Sequence, residues 1–152
     1  ISTIFSWKTW NHGHRLRHSI YDMFKDSGKI DFYGSGCDKP IDFKVDGLKD
    51  YRFSVVIENS IESDYFTEKL LDCFLTGTIP IYWGTKNIEN YFDTNGVIFI
   101  NDENELSTII DTLDVELYNS KINSIQSNFE SAKKYIHPEK IIQTYLNENE
   151  NV

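Results

Sequence analysis

Five polar side chains, on two stretches of the chain, have the types and spacing to hold an anionic, sugar-bearing ligand. Asn59, Tyr65, Glu68 and Lys69 follow one apolar run, and Arg17 stands early in a helical stretch upstream. Arginine offers a planar fork of donors and lysine a point charge, so the pair suits a pyrophosphate. An ionised carboxylate accepts two hydrogen bonds, so Glu68 suits a pair of ribose hydroxyls. Asn59 can donate and accept, which would orient a base or a sugar, and Tyr65 can pack on a ring. Each residue also has a plainer reading. Arg15, Arg17 and Lys69 can be solvated charges, Glu68 a first-turn acid stabilising a helix dipole, Asn59 a turn cap and Tyr65 a core-edge aromatic.

The elements that would position these groups are legible as periodicity. Arg52–Ile57 is a nearly continuous apolar run that reads as a buried strand of a parallel sheet, ending at Glu58-Asn59. A helix over 64–76 follows, with Phe66, Leu70, Leu71 and Phe74 inward and Gly77 as its stop. Further strands are expected at 1–6, 30–33, 78–83 and 97–100. Another helix is expected at 15–27, with Leu16, Ile20, Met23 and Phe24 on one face. Pro80 sits uneasily in a strand, because it cannot donate to the ladder. From Glu103 onward the chain reads helical, roughly 103–112, 115–134 and 138–147, with Pro138 in the first turn of the last. Such alternation argues for an α/β fold, a Rossmann-like doubly wound parallel sheet with a helical C-terminal tail. In a sheet of this type the first and third strands can be neighbours. Two helix N-termini, at Arg17 and at Lys69, would then point into one crevice.

Composition narrows the function. With 152 residues the chain is one domain, expected over 1–146 with a disordered tail at 147–152. A net charge of −9 argues against nucleic acid as a partner. Cys37 and Cys73 fall in no zinc or redox spacing and read as free thiols. His12 and His14, read as loop residues, are spaced so that they could meet a metal, but polar loop histidines are the simpler reading. No metal and no other cofactor is expected. There is no phosphate-loop, dinucleotide or nucleophile-elbow motif and no Asp-x-Asp. No run approaches about 18 apolar residues, so no transmembrane segment is expected.

Glu58-Asn-Ser60, Asp64-Tyr-Phe-Thr-Glu-Lys69 and Gly77-Thr-Ile-Pro-Ile-Tyr-Trp-Gly84 together resemble the donor-binding signature of the α-1,3-fucosyltransferases, glycosyltransferase family 10. Arg17-His-Ser-Ile-Tyr-Asp22 and Ile30-Asp-Phe-Tyr-Gly34 resemble that family's arginine-containing helix and the strand after it. The resemblance covers roughly residues 1–100. It implies one half of a GT-B glycosyltransferase, transferring fucose from GDP-fucose to a hydroxyl of a glycan acceptor with inversion. Arg17 and Lys69 would then contact the diphosphate, Glu68 the ribose, and Asn59 and Tyr65 the rest of the donor.

The family's catalytic base belongs to an acceptor domain for which this chain is too short. Glu58 is the local candidate for that base. A separate acceptor domain or a homo-oligomer is an expected partner, and the isolated chain is expected to be inactive. The absence of an anchor or leader suggests a cytoplasmic, microbial or viral setting. The alternatives are a GT-B transferase for another GDP-sugar and a non-catalytic nucleotide-sugar-binding module.

Overall fold

The computed structural model describes residues 1–136. The expected helix 138–147, Pro138 and the tail 147–152 lie outside the described residues. Five parallel strands form one sheet: β1 (Ser2–Ile4), β2 (Asp31–Tyr33), β3 (Phe53–Ile57), β4 (Ile79–Trp83) and β5 (Ile98–Phe99). Their order is β2-β1-β3-β4-β5. The chain thus winds outward in one direction from β1 and in the other from β3. The switch point lies between those two strands, where an open parallel sheet leaves a crevice at its C-terminal edge.

The helices are α1 (His12–Phe24), α2 (Glu68–Thr76), α3 (Glu103–Ile109), α4 (Val115–Ser120) and α5 (Ile122–Ala132). Leu16, Ile20 and Phe24 of α1 pack with Leu106 of α3 and with Phe53, Val55 and Ile57 of β3 on one face of the sheet. Leu70, Cys73 and Phe74 of α2 pack with Ala132 of α5, and with Val56 and Tyr82, on the other. Every residue of β3 and of β4 is buried, as two covered faces require. Full burial of each large apolar side chain contributes about 1.5–3 kcal/mol.

The β1–β3 contact is short, pairing Ser2 with Ser54 and Thr3 with Val55. Buried hydroxyls reinforce it. Ser2 Oγ donates to Ser54 Oγ at 3.1 Å, Ser54 Oγ to the Ser2 carbonyl at 3.0 Å, and Thr3 Oγ1 to the Val55 carbonyl at 2.9 Å.

The element boundaries depart from the sequence reading for local reasons. The first helix begins at His12 because the Asn11 side chain caps it, accepting from the His14 N–H at 2.9 Å. It ends at Phe24, and Met23 is 42% exposed, outside the apolar face assigned to it. His12 and His14 therefore lie on a helix and not in a loop. The second helix begins at Glu68, not at residue 64. Asp64 has φ +60, and the Thr67 side chain caps the helix by accepting from the Lys69 N–H. Phe66 accordingly precedes α2 and packs on Tyr91, Phe92 and Tyr135. Gly77 does end α2, with φ +71 and its N–H bonded to the Cys73 and Phe74 carbonyls.

Pro80 sits in β4 without losing a ladder bond. Alternate residues of a parallel strand address alternate neighbours. Ile79 bonds toward β3, through the Arg52 carbonyl, and Tyr82 toward β5, through Ile100. Pro80 thus faces the β5 side, ahead of Ile81, the first β4 residue paired with that strand. The long helix expected over 115–134 is broken at Lys121 into α4 and α5.

Candidate functional site

Strand β3 ends at Ile57 and runs directly into Glu58 and Asn59, and both flanking helices start against this end. The Gly13 N–H of α1 donates to the Asn59 carbonyl at 3.2 Å. A Cβ at Gly13 would sit 1.7 Å from the Glu58 carbonyl oxygen, so only glycine allows this approach. One turn further along α1, the buried Arg17 turns back onto the strand end. Its Nε donates to the Ile57 carbonyl at 3.1 Å, and its Nη2 donates to the same carbonyl and to Asn59 Oδ1 at 2.9 Å. No bond from Nη1 is present among the described residues. Burial lowers the Arg17 pKa, with Glu58 and Tyr65 opposing the shift. Its reference value lies so high that the guanidinium stays charged.

Glu58 is fully buried and organises the start of α2. Its carboxylate accepts from the Thr67 N–H at 2.9 Å, from Thr67 Oγ1 at 2.8 and 3.0 Å, and from Lys69 Nζ at 3.2 Å. Lys69 Nζ also donates to Thr67 Oγ1 at 2.9 Å. Two of its three protons are thus used, and one remains for a ligand. With both oxygens engaged and no exposed surface, Glu58 is built to hold Lys69 and the helix start.

A cleft of about 310 Å³ opens beside these groups at the switch point. Arg17, Lys69 and Glu68 line it, together with Lys8, Lys44 and Asp72. The structure therefore brings three of the five donor-contact candidates onto one cleft. Asn59 and Tyr65 stand outside its lining. Asn59 reaches it through Arg17, and Tyr65 is half-buried beyond the strand end. Arg15 is exposed on α1 and takes no part.

Glu68 is bound by Lys44 at 3.2 Å. Burial pushes its pKa up, but the Lys44 hydrogen bond and the Lys69 and Lys44 charges outweigh this and hold it below the usual value. His14 is buried with an unpartnered Nδ1. Burial, followed by the charges of Arg17, Lys8, Lys69 and His18, lowers its pKa and favours the neutral ring. His12 stacks on Trp83, ring centroids 5.2 Å apart. No group of three or more His, Cys, Asp or Glu that could hold a metal ion occurs among the described residues.

Sequence reasoning did not single out Gly13, Lys44 or Thr67. The signal for Thr67 was present, a threonine directly ahead of a Glu that opens an apolar-periodic run. Lys44 belongs to a 3-10 turn, Lys44–Gly47, within an irregular stretch, and no local pattern ties it to Glu68.

A parallel sheet of this order, with flanking helices and a helical C-terminal region, is the fold of one half of a GT-B glycosyltransferase. It matches the crystal structure of an alpha1,3-fucosyltransferase with GDP-fucose at a TM-score of 0.64 and 21% identity, over 84% of this chain and 38% of that one. The same protein class with GDP gives a TM-score of 0.64. The chain belongs to glycosyltransferase family 10 (fucosyltransferase), whose C-terminal model matches residues 2–144.

Among curated relatives, the human 4-galactosyl-N-acetylglucosaminide 3-alpha-L-fucosyltransferase 9 is 33% identical over 104 residues, 66% of this chain and 29% of that protein. A fucosyltransferase-like protein of Arabidopsis thaliana is 43% identical over 72 residues, 45% of this chain and 14% of that protein. The chain thus spans less than a third of the length of these two relatives. No helix among the described residues is long and apolar enough to cross a membrane.

Proposed function

We propose that this chain is the donor half of an inverting fucosyltransferase. It seats GDP-fucose in the cleft between β1 and β3, and an acceptor half outside these 152 residues presents the glycan hydroxyl. The observation that carries this reading is the convergence of Arg17 and Lys69 on one cleft at the switch point. Each is pinned by the fold and each keeps a donor to spare.

The acceptor oxygen attacks the anomeric carbon of fucose, and the bond from that carbon to the β-phosphate oxygen breaks. The electron pair leaves on GDP. Arg17, Lys69 and the start of α2 meet the growing negative charge as groups already in place, which is where electrostatic stabilisation acts most strongly. These cations fill the role that a metal ion has in other nucleotide-sugar sites, so the step is proposed to run without one. Glu68 takes the ribose hydroxyls, while Asn59 and Tyr65 bound the donor beyond the strand end. The proton of the acceptor hydroxyl goes to a base in the acceptor half, because both Glu58 oxygens are committed to Thr67 and Lys69.

Calorimetric titration with GDP and GDP-fucose, in chelator and again with added magnesium, tests the proposal. Binding is expected in both media. Arg17→Ala or Lys69→Ala should weaken GDP by about 1.5–3 kcal/mol, the worth of a charge-assisted hydrogen bond. Melting temperatures taken alongside separate a lost contact from a lost fold. Unchanged affinity in both variants would remove the pyrophosphate assignment. Tighter binding of GDP-mannose than of GDP-fucose would redirect the sugar.

A further inference from the structure

Asp64 is the one non-glycine residue with a positive φ among the described residues, at +60. Aspartate tolerates the left-handed region better than most side chains, yet such a residue persists only where its surroundings over-determine it. The surroundings here come from the segment that follows β4. Asn87 Oδ1 accepts from the Asp64 N–H at 3.0 Å, while Asn87 Nδ2 donates to Asp64 Oδ1 at 2.7 Å and to Ser63 Oγ at 3.1 Å. The Tyr91 hydroxyl donates to the same Asp64 Oδ1 at 2.9 Å. Asn87 is itself anchored, because Thr85, buried just past the end of β4, donates to its Oδ1.

Tyr91 grips the same loop a second time. Its ring packs on Phe66 with centroids 5.2 Å apart. Both chain neighbours of Tyr65 are thus fastened to one residue, Asp64 through the Tyr91 hydroxyl and Phe66 through its ring. Tyr65 itself lies toward the strand end, within electrostatic reach of the Arg17 guanidinium and of the buried Tyr82. Residues 60–66 carry no helix or strand, so these side-chain contacts take over what a backbone ladder does elsewhere in the fold.

We infer that Asn87 and Tyr91 are positioning residues for the donor site, clasping Asp64 and Phe66 so that Tyr65 is held ready against the bound donor. The inference rests on the donor reading of the cleft, in which Tyr65 bounds GDP-fucose beyond the strand end. Neither Asn87 nor Tyr91 touches the ligand. Their contribution is to fix Tyr65 before binding, so that the donor does not have to order the loop.

The test is calorimetry on the full chain with GDP-fucose, with melting temperatures taken alongside. Wild type, Tyr65→Ala, Asn87→Ala, Asp64→Gly, Asp64→Asn and the double variant Y65A/N87A are compared. Asp64→Gly keeps the positive φ and removes only the side-chain bonds, so it separates the clasp from backbone strain. Asn87→Ala and Asp64→Gly should each weaken GDP-fucose by about two- to tenfold, the cost of ordering one side chain on binding. Asp64→Asn should bind as wild type does, since its amide oxygen still accepts from Tyr91 and Asn87. The double variant should bind no more weakly than Tyr65→Ala, because the clasp acts through that one side chain.

Wild-type affinity in both Asn87→Ala and Asp64→Gly, with Tyr65→Ala weakened, would overturn the inference and leave the donor reading intact. An Asn87→Ala loss that persists in full without Tyr65 would do the same, since it marks a general effect on the loop. An unaffected Tyr65→Ala protein, or wild type that binds no GDP-fucose, overturns the inference together with the donor role given to Tyr65.

Discussion

Glu58 shows how one residue type can carry two readings that only its surroundings separate. A carboxylate at the end of a buried strand suits a general base, yet here every exposed route to it is closed by Thr67 and Lys69. Its removal should therefore register as lost stability first. Glu58→Ala is expected to cost about 2–3 kcal/mol in urea unfolding, because it strips a buried acceptor from the Thr67 N–H and leaves Lys69 without its partner. GDP affinity should fall with it, since Lys69 is no longer held. A Glu58→Ala protein of wild-type stability would mean that the α2 start does not depend on this carboxylate. Arg17 follows the same logic with the opposite sign, since its charge is held in place by a backbone carbonyl and an amide oxygen.

At the level of elements, the crevice exists because α1 and β3 touch backbone to backbone. Gly13→Ala places a methyl group inside the van der Waals radius of the Glu58 carbonyl, so α1 must withdraw. About 1–3 kcal/mol of stability should be lost, the usual range for overpacking, with a weakened GDP titration. A fully stable, fully binding Gly13→Ala protein would show that the contact is slack. The strands β3 and β4 were legible because both faces are covered, which turns their sequence into continuous apolar runs. The stop at Gly77 was legible because a left-handed residue leaves a compositional mark.

The starts of α1 and α2 were misread by three or four residues. The starts are set by single capping side chains, Asn11 and Thr67, which accept from the His14 and Lys69 N–H groups, and hydrophobic periodicity does not register a cap. Arg17, Glu68 and Lys69 could be foreseen on one cleft because helix starts and strand ends are local features. Lys44 could not, because its partner is 24 residues away and only the tertiary fold joins them.

On the scale of the whole molecule, the chain is one layered α/β unit matched over most of its length by the family's C-terminal model. Curated relatives extend far beyond it. The two functions of a transferase, holding the donor and presenting the acceptor, should therefore separate cleanly. The chain alone is expected to bind GDP-fucose without glycosidic turnover. An acceptor half supplied in trans should restore transfer measured as GDP release. Transfer by the isolated chain would place the base within these residues and reopen the assignment of Glu58.

The stacking of Trp83 on His12 has an optical consequence. Trp7 and Trp10 are exposed to 59% and 82%, whereas Trp83 is 5% exposed and donates its indole N–H to the Asn101 carbonyl. An aqueous quencher would silence the first two and leave a single blue-shifted emitter. That indole rests on the first turn of α1, the same turn that Gly13 presses onto the strand end. The protein therefore carries an intrinsic fluorescent gauge of its own crevice, with no label attached.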